Sequence, residues 1–324
     1  MNTTMNGSSC PSPLNSTAGK IGVTFAYCLI FVFSLVGNSL IGIVVYKTQT
    51  LRRPINYFIV NMAMSDLLYP IFWIPMRLTV FLVESWPGGS LGQVLCKLVP
   101  FLGNMSVIVS VQSLVLIAVD RFGAVAFPLR SPLISSKLCP FFVLATWTVA
   151  TAVISPFLLM CKLVEYPEKV ACERRWNEAF GESSSRANYS LALNFVFLYI
   201  PIALLVILYS IIIIKLKTQT FPGEQSVNAE QQRTKRNRNV LKMAIAIVVG
   251  FVLCWVPFSI ISLLLQFAWE SDRTLPCRFY LYFNTAFMVS FSSCAINPCI
   301  CFTFSGNYRQ GLKRLLICSN PVQE

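Results

Sequence analysis

The chain has 324 residues, of which 55% are hydrophobic and only 12% are charged, and it contains no histidine. A soluble domain carries roughly 25% charged residues, so this composition excludes a soluble two-domain protein. The missing histidine excludes histidine metal sites and Ser-His or Cys-His catalysis, whereas the meaning of the +13 net charge depends on where the charges lie.

Long apolar stretches follow one another along the whole chain. A membrane-spanning helix needs roughly 20 apolar residues, because the bilayer core is about 30 Å thick and the backbone must satisfy its own hydrogen bonds there. Seven stretches are long enough, so the sequence predicts an all-α membrane protein, a single bundle of seven transmembrane helices. The predicted spans are Ile21–Tyr46, Ile55–Val83, Leu95–Phe127, Leu138–Cys161, Tyr189–Ile214, Val240–Phe267 and Phe279–Phe304.

These spans divide the chain into an N-terminal tail (1–20), a seven-helix domain (21–304) and a C-terminal segment (305–324). The tail lacks the apolar core of a signal peptide, so we expect the first span to act as the insertion signal. In the C-terminal segment apolar and basic residues lie on opposite helical faces, which predicts a short amphipathic eighth helix on the inner leaflet. The two faces are Phe304, Tyr308, Leu312 and Leu315 and, opposite them, Arg309, Lys313 and Arg314.

Lysine and arginine are concentrated on alternate connections, starting with Lys47, Arg52 and Arg53 after the first span. Because cytoplasmic loops are enriched in these residues, the pattern predicts an extracellular N-terminus and a multi-pass protein of the plasma membrane. Nearly all of the +13 net charge then lies on the cytoplasmic side. The charge therefore reflects topology, and nucleic acid is not expected as a partner.

Several residues predict covalent modification. Asn-x-Ser/Thr sequons on segments predicted to be outside mark Asn2, Asn6, Asn15 and Asn188 as glycosylation candidates. Cys318, after the amphipathic segment, is a palmitoylation candidate. The outer compartment is oxidising, so cysteines there are candidates for disulfides, although sequence alone leaves their connectivity open. The predicted outer cysteines are Cys96, Cys172, Cys10 and Cys277.

Polar residues inside the spans point to function, because an ionised group at the bilayer centre costs on the order of 2.5–3.5 kcal/mol. Asp66 lies within the second span. We expect either a buried polar network around it or a small cation bound by carboxylate and hydroxyl oxygens, with idle burial of a protonated carboxyl as the alternative. Polar residues at similar depth on other spans are Asn38, Ser110, Ser292, Ser293 and Asn297.

Two further features fit a bundle that changes shape. Asp120-Arg121, at the inner end of the third span, is either an interfacial anchor or a switch in which the arginine exchanges partners. Prolines inside spans remove helix hydrogen bonds and create hinges. Pro156, Pro201, Pro257 and Pro298 each fall inside a span.

Together these motifs resemble the rhodopsin-like (class A) G-protein-coupled receptors over essentially the whole chain. Each is weak alone, but they occur in order and one per expected span. The matching residues are Gly37-Asn38, Asn61 to Leu67, Cys96 with Cys172, Asp120-Arg121-Phe122, Trp147, Pro201 with Tyr209, Cys254 to Pro257, and Asn297-Pro298.

The resemblance assigns roles to these residues. It implies a disulfide between Cys96 and Cys172, and a toggle formed by Trp255 and Pro257. It places Asp120, Arg121, Tyr209 and Pro298 in the switch that opens to a G protein. An allosteric sodium pocket would be lined by Asp66, Ser110, Trp255, Ser293 and Asn297.

The chain departs from the family pattern at three positions. Phe122 replaces the tyrosine of the Asp-Arg-Tyr triplet, and Cys301 replaces the tyrosine of the seventh-helix motif. Asn237 stands where some members place an acid that restrains the arginine. Basal activity and the activation mechanism are therefore open at this stage.

The ligand class follows mainly from exclusion. The third span has no acid from Leu98 to Val119, which removes the anchor of amine receptors, with Gly103 near its place. The seventh span has no lysine, which excludes an opsin. Pro75 and Trp86 resemble features of peptide receptors. Acids near the mouth favour a basic peptide like those of the RFamide and neuropeptide Y group, and the candidate ligand-binding residues are Glu168, Glu173 and Glu270.

The leading hypothesis is a receptor that converts the binding of an extracellular neuropeptide into heterotrimeric G-protein activation. Arrestin and membrane lipids are further expected partners, and no cofactor is expected apart from the sodium ion at Asp66, the one metal considered. The alternatives are a lipid or other small non-amine ligand, or an ion transporter that uses Asp66. Transporters usually show internal repeats, and none is evident. Without histidine or a second buried carboxylate, an enzyme is not expected.

Overall fold

A computed structural model describes residues 14, 16–127, 133–218, 227–270 and 277–318, without the side chains of 218, 227–239, 269, 270, 277, 280 and 318. Within those residues seven helices are long and apolar enough to cross a membrane, as the sequence predicted. In chain order, these first to seventh helices span Thr17–Lys47, Pro54–Val83, Gly89–Ala126, Cys139–Met160, Arg186–Lys217, Val240–Ala268 and Leu281–Phe304.

The helix ends differ from the predicted spans for local reasons. The first helix begins at Thr17 rather than Ile21, because the Ser16 hydroxyl accepts a hydrogen bond from the Gly19 backbone N–H at 3.1 Å and caps the first turn. The sixth and seventh helices continue beyond their apolar windows. Their full extents are Val227–Glu270 and Cys277–Phe304.

Prolines interrupt three of the spanning helices. The fourth breaks at Ser155, where Pro156 opens the final turn Pro156–Met160. The second and fifth each contain a π-helical turn just before a proline, at Tyr69–Trp73 and Phe195–Tyr199. A proline lacks the N–H that the regular ladder needs, so the preceding turn widens. Pro257 and Pro298 instead lie inside helices that run on without a break.

A β-hairpin covers the outer end of the bundle. Strand β1 (Cys161–Glu165) pairs antiparallel with strand β2 (Val170–Arg174), with Leu163 opposite Cys172. The fourth span was predicted to reach Cys161, but the helix ends at Met160 and Cys161 begins β1. A hydropathy window counts apolar residues and cannot distinguish the last turn of a helix from the first residue of a strand.

The hairpin is attached to the bundle by one covalent and two hydrogen bonds. The Cys96–Cys172 disulfide joins the third helix to β2, as predicted. The first outer loop adds hydrogen bonds from the Trp86 N–H to the Val170 carbonyl at 2.8 Å and from the Val170 N–H to the Ser85 hydroxyl at 3.0 Å. The mouth of the bundle is therefore closed on one side by a fixed element.

The third helix is the most enclosed of the seven, while the other helices expose leucine, isoleucine, valine and phenylalanine outward. In a bilayer these side chains face lipid. The main core runs along the bundle, from Tyr27 and Ile74 in the outer half to Val45 and Leu216 in the inner half, and a smaller core lies beneath the hairpin around Cys96 and Met160.

A short C-terminal helix, Gly306–Cys318, matches the predicted eighth helix. Tyr308 is buried on its inner face and donates a hydrogen bond to Asn56 Oδ1 at 3.2 Å. Gly311 lies against the first helix so closely that a Cβ there would be 2.6 Å from Val44 Cγ1. Of the predicted apolar face, Leu312 and Leu315 pack against the core.

Close packing of the first and seventh helices leads to a first prediction. A Cβ at Gly37 would lie 2.6 Å from Pro298 Cγ, and the rigid proline ring cannot turn away. Gly37→Ala should therefore destabilise the protein by about 1–3 kcal/mol, the usual cost of overpacking. The measurement is the midpoint of thermal denaturation in detergent.

Gly42→Ala on the same helix is the matched control, because a Cβ at Gly42 meets nothing within 4 Å. It should leave the midpoint unchanged or raise it slightly, since alanine favours helix over glycine. Equal midpoints for the two variants would show that the first and seventh helices do not approach this closely.

Candidate functional site

The Asp66 carboxylate lies at the centre of the bundle and is 4% exposed. The Ser110 hydroxyl donates to its Oδ1 at 2.8 Å, and the Asn297 amide donates to its Oδ2 at 2.7 Å. Ser65 Oγ lies 2.9 Å from Ser110 Oγ. The carboxylate thus receives hydrogen bonds from the third and seventh helices, which offset part of the cost of burying a charge.

Amide side chains extend this polar layer to neighbouring helices. Asn38 donates to the Cys294 carbonyl at 2.9 Å and so joins the first helix to the seventh. Asn61 donates to the Ser113 hydroxyl at 2.9 Å and accepts from the Trp147 indole N–H at 2.8 Å, joining the second helix to the third and fourth. These hydrogen bonds, together with those of Asp66, connect five helices in the middle of the bundle.

The five residues of the predicted sodium pocket fall into two hydrogen-bonded groups. Asp66, Ser110 and Asn297 form the first. In the second, the Trp255 indole N–H donates to the Ser293 hydroxyl at 3.0 Å. The carboxylate and the serine hydroxyls are the hard oxygen ligands that a small cation takes, so this donor set fits sodium. Within the described residues no cluster of three His, Cys, Asp or Glu offers another metal site.

A cluster of aromatic rings, which sequence reasoning missed, lies on the outer side of Trp255. Tyr69 touches both Trp255 and Phe291, with ring centroids 5.9 and 5.1 Å apart. Phe287 contacts Phe291 at 4.8 Å and Trp73 at 5.7 Å. The aromatic cluster comprises Tyr69, Trp73, Trp255, Phe258, Phe283, Phe287 and Phe291.

Trp73 enters this cluster through space left by Gly103. A Cβ at Gly103 would lie 1.6 Å from the Trp73 indole nitrogen. The indole thus fills the space beside the position on the third helix where amine receptors carry an acid and this chain has Gly103. The glycine in the sequence was a usable signal for this close approach, because glycine is the residue that leaves such space.

At the inner end of the third helix, Asp120 holds the side chain of Arg121. Both Nε and Nη2 of Arg121 donate to Asp120 Oδ2, the former at 3.1 Å. Asp120 is 6% exposed, so this is a largely buried ion pair. Tyr209 is buried too, and its hydroxyl has no hydrogen-bond partner among the side chains that the structure describes. The arginine is thus restrained by its neighbour, and the tyrosine hydroxyl is uncommitted.

Two of the departures from the family pattern lie in packed surroundings. Phe122 packs edge-on against Phe127, with centroids 6.1 Å apart. Cys301 is fully buried in the seventh helix. The side chain of Asn237 lies outside the described residues.

Two glutamates of the second outer loop, Glu173 and Glu178, are already bonded to other residues of that loop. Glu173 accepts from the Tyr166 hydroxyl at 2.6 Å and from Arg175 Nε at 2.9 Å, and the first of these bonds raises the pKa of Tyr166. Lys162 and Arg175 both bind Glu178, and the Lys162 hydrogen bond is the main cause of its lowered pKa. Glu173 is thus committed within its own loop.

Other predicted sites have simpler outcomes. Glu168 is exposed at the tip of the hairpin, between β1 and β2. Asn188 is exposed as well, but in the first turn of the fifth helix rather than in a loop, where its N–H bonds the Ser185 hydroxyl. Several candidates lie outside the described residues or have side chains that do. These are Asn2, Asn6, Asn15, Cys10, Glu270, Cys277 and Cys318.

Comparison with known proteins gives one family throughout. The 7 transmembrane receptor (rhodopsin family) pattern matches residues 37–300. The chain is 31% identical to the RYamide receptor of Drosophila melanogaster over 92% of its own length, and 28% identical to the QRFP-like peptide receptor of Branchiostoma floridae over 94%. It is 32% identical to neuropeptide FF receptor 1 of Rattus norvegicus over 91%. It covers 63%, 80% and 71% of these relatives, respectively, so it spans under two thirds of the RYamide receptor.

The contact between Gly103 and Trp73 generates a second prediction. Gly103→Ala should force the indole out of the aromatic cluster and lower the midpoint of thermal denaturation, at a cost of about 1–3 kcal/mol. In a Trp73→Ala background the same change should cost much less, because the indole is gone. Equal losses in the two backgrounds would mean that the residues do not interact.

Proposed function

This chain belongs to the rhodopsin family of seven-transmembrane receptors, and we propose that it converts the binding of an extracellular peptide into heterotrimeric G-protein activation. The observation that carries the proposal is the Asp120–Arg121 ion pair, buried at the inner end of a bundle whose outer end holds an aromatic cluster. A bundle that holds Arg121 in an ion pair at its inner end and carries the aromatic cluster in its outer half suits signalling across a membrane. The predicted class A membership is confirmed by the family match.

The relatives and the outer surface support a peptide as the ligand. The RYamide, QRFP-like peptide and neuropeptide FF receptors are all named for peptides. The disulfide-anchored hairpin presents backbone and charged side chains at the mouth, which suits an extended ligand. Glu173 is committed to Tyr166 and Arg175, so we assign contact with a basic ligand residue to the exposed Glu168.

A physical route runs from the mouth to the inner face. A ligand that repacks the aromatic cluster displaces Trp255, whose N–H bonds Ser293. Pro257, about half a turn further along the same helix, removes a backbone hydrogen bond and lowers the cost of bending there. Outward movement of the inner sixth helix would then release Arg121 from Asp120 toward the uncommitted Tyr209 hydroxyl. The ligand acts by shifting the population between two packings.

Asp66 supplies a second control point, and we assign it an allosteric sodium ion. Asp66 and Ser110 would hold the ion, with Asn297, Ser293 and Trp255 close by. A bound cation neutralises the buried carboxylate and strengthens the association of the second, third and seventh helices. Sodium would therefore favour the packing seen in this structure.

The chain is a multi-pass membrane protein, and we place it in the plasma membrane with its N-terminus outside. The membrane lipids then contact its apolar outer surface, and arrestin would compete with the G protein for the inner face. Arginine and lysine side chains such as Arg52 and Lys215 line that face. The family is one of receptors, and we propose no enzymatic activity. Glycosylation at Asn2, Asn6, Asn15 and Asn188 and palmitoylation at Cys318 stay predictions.

The restraint on Arg121 yields a third prediction. Arg121→Ala should abolish ligand-driven nucleotide exchange on the G protein, because the group released on activation is missing. Asp120→Asn should raise basal exchange, because a neutral amide holds the guanidinium less strongly than a carboxylate does. Both are measured in membranes that contain equal amounts of receptor.

Arg52→Ala is the control for inner-face charge, since Arg52 is exposed and bonds only the Tyr46 carbonyl among the described contacts. It should keep most of the response. Unchanged exchange in Arg121→Ala would contradict the switch. If no G protein responds to any peptide, lipid or small molecule in wild-type membranes, the receptor proposal itself fails.

The sodium assignment gives a fourth prediction. Replacing potassium chloride with sodium chloride at constant ionic strength should raise the midpoint of thermal denaturation of the wild type. Asp66→Asn should abolish that shift, because the amide carries no charge, and Ser110→Ala should reduce it. Ser292→Ala is the control, since the Ser292 hydroxyl donates to the Val289 carbonyl and lies beside Cys254, whereas the donors to Asp66 are Ser110 and Asn297. A sodium shift that survives in Asp66→Asn would place the ion elsewhere.

A further inference from the structure

Arg77 is a cation inside the outer half of the bundle, and no described side chain supplies a counter-charge for it. It lies on the second helix, seven residues before Glu84 and so about 10 Å deeper along the axis at 1.5 Å per residue. Glu84 is itself paired with Lys20 at 3.1 Å. Among the described residues no carboxylate forms an ion pair with Arg77.

Among the described residues, the contacts of Arg77 are with neutral groups. Its Nη2 donates to Asn284 Oδ1 at 2.7 Å, and its guanidinium lies 5.3 Å from the centroid of the Phe287 ring. The Tyr27 hydroxyl is also beside it. The Nε–H is buried and has no acceptor among the described atoms. A guanidinium has five N–H donors, so most of its capacity is left over.

Burying such a group is costly without an opposite charge, because neutral acceptors do not replace the hydration of a full charge. The side chain as a whole is only half-buried, so a ligand that enters from the outside reaches the part of the guanidinium beyond the buried Nε. The two Nη groups share the outer edge of the guanidinium, and a carboxylate binds such an edge with two parallel hydrogen bonds. The arrangement is therefore complementary to a carboxylate.

We propose that Arg77 binds a carboxylate of the peptide ligand, and that this contact seats the ligand on the aromatic cluster. The proposal rests on the function proposed above and names the chemistry that the outer pocket recognises. Phe287 touches both Arg77 and Trp73, so the charge contact lies directly against the rings that lead to Trp255. The carboxylate comes from an acidic side chain or from a free C-terminus.

Matched peptide libraries test this with the full-length receptor in membranes. The same short peptides are made in three forms, with a free C-terminus, with a C-terminal amide, and with Asp and Glu replaced by Asn and Gln. Nucleotide exchange is the readout. For peptides that retain the recognised carboxylate, the concentration needed for a half-maximal response should be about tenfold lower than for the matched neutral form.

Variants then assign the preference to Arg77. Arg77→Gln keeps a polar side chain with two N–H donors but has no charge, and it should lose about tenfold in potency for the carboxylate form while leaving the neutral form unchanged. Arg77→Lys should recover part of the loss. Lys20→Gln is the matched control, because it removes an outer cation that is already paired with Glu84.

The outcomes separate the two proposals. Loss of the preference on amidation identifies a C-terminal carboxylate, and loss on Asp and Glu replacement identifies a side chain. If the wild type responds to peptides but does not distinguish the three forms, the Arg77 assignment is overturned and the receptor function stands. If no form activates the wild type at the cell surface, the peptide-receptor proposal fails and this one with it. The wild-type comparison stands even if Arg77→Gln does not reach the surface.

Discussion

The buried Asp66 carboxylate is the interaction on which the arrangement of the helices depends. A charge in a hydrocarbon environment must be met by donors, and here they come from Ser110 on the third helix and Asn297 on the seventh. These bonds fix the distances between three helices at mid-depth. Asn38 adds a hydrogen bond from the first helix to the seventh, and Asn61 accepts one from Trp147 on the fourth. Polar side chains thus hold the helices together at the centre of the bundle.

The outer and inner halves of the bundle are held together by different kinds of interaction. In the outer half, helix contacts are made by aromatic rings, whose packing energy is spread over many contacts and permits several arrangements. In the inner half, the decisive contact is a single ion pair between Asp120 and Arg121, which is either made or broken. In the proposed function, a ligand would repack the aromatic cluster, and the consequence would be the breaking of the Asp120–Arg121 ion pair. Trp255, bonded to Ser293, stands between the two.

Much of the candidate site was predictable, but its connections were not. Asp66, Ser110 and Asn297 were grouped from the sequence, and the structure brings all three together. Trp255 and Ser293 were placed in the same pocket, yet they form a separate pair. Glu173 was chosen as a ligand contact for its charge alone. Its partners Tyr166 and Arg175 lie on a hairpin that hydropathy does not reveal, because strand pairing leaves no apolar stretch long enough to detect.

The sequence by itself determined the seven spans and singled out the polar residues inside them, and it predicts the orientation of the spans. Those features follow from local composition, because a bilayer tests each segment of about 20 residues separately. Only the tertiary structure decided which polar atoms meet. Asn297 reaches Asp66 across 231 residues of chain, and Arg77 reaches Asn284 across 207. Such contacts depend on how the helices rotate and pack against each other, and hydropathy carries no information about that rotation.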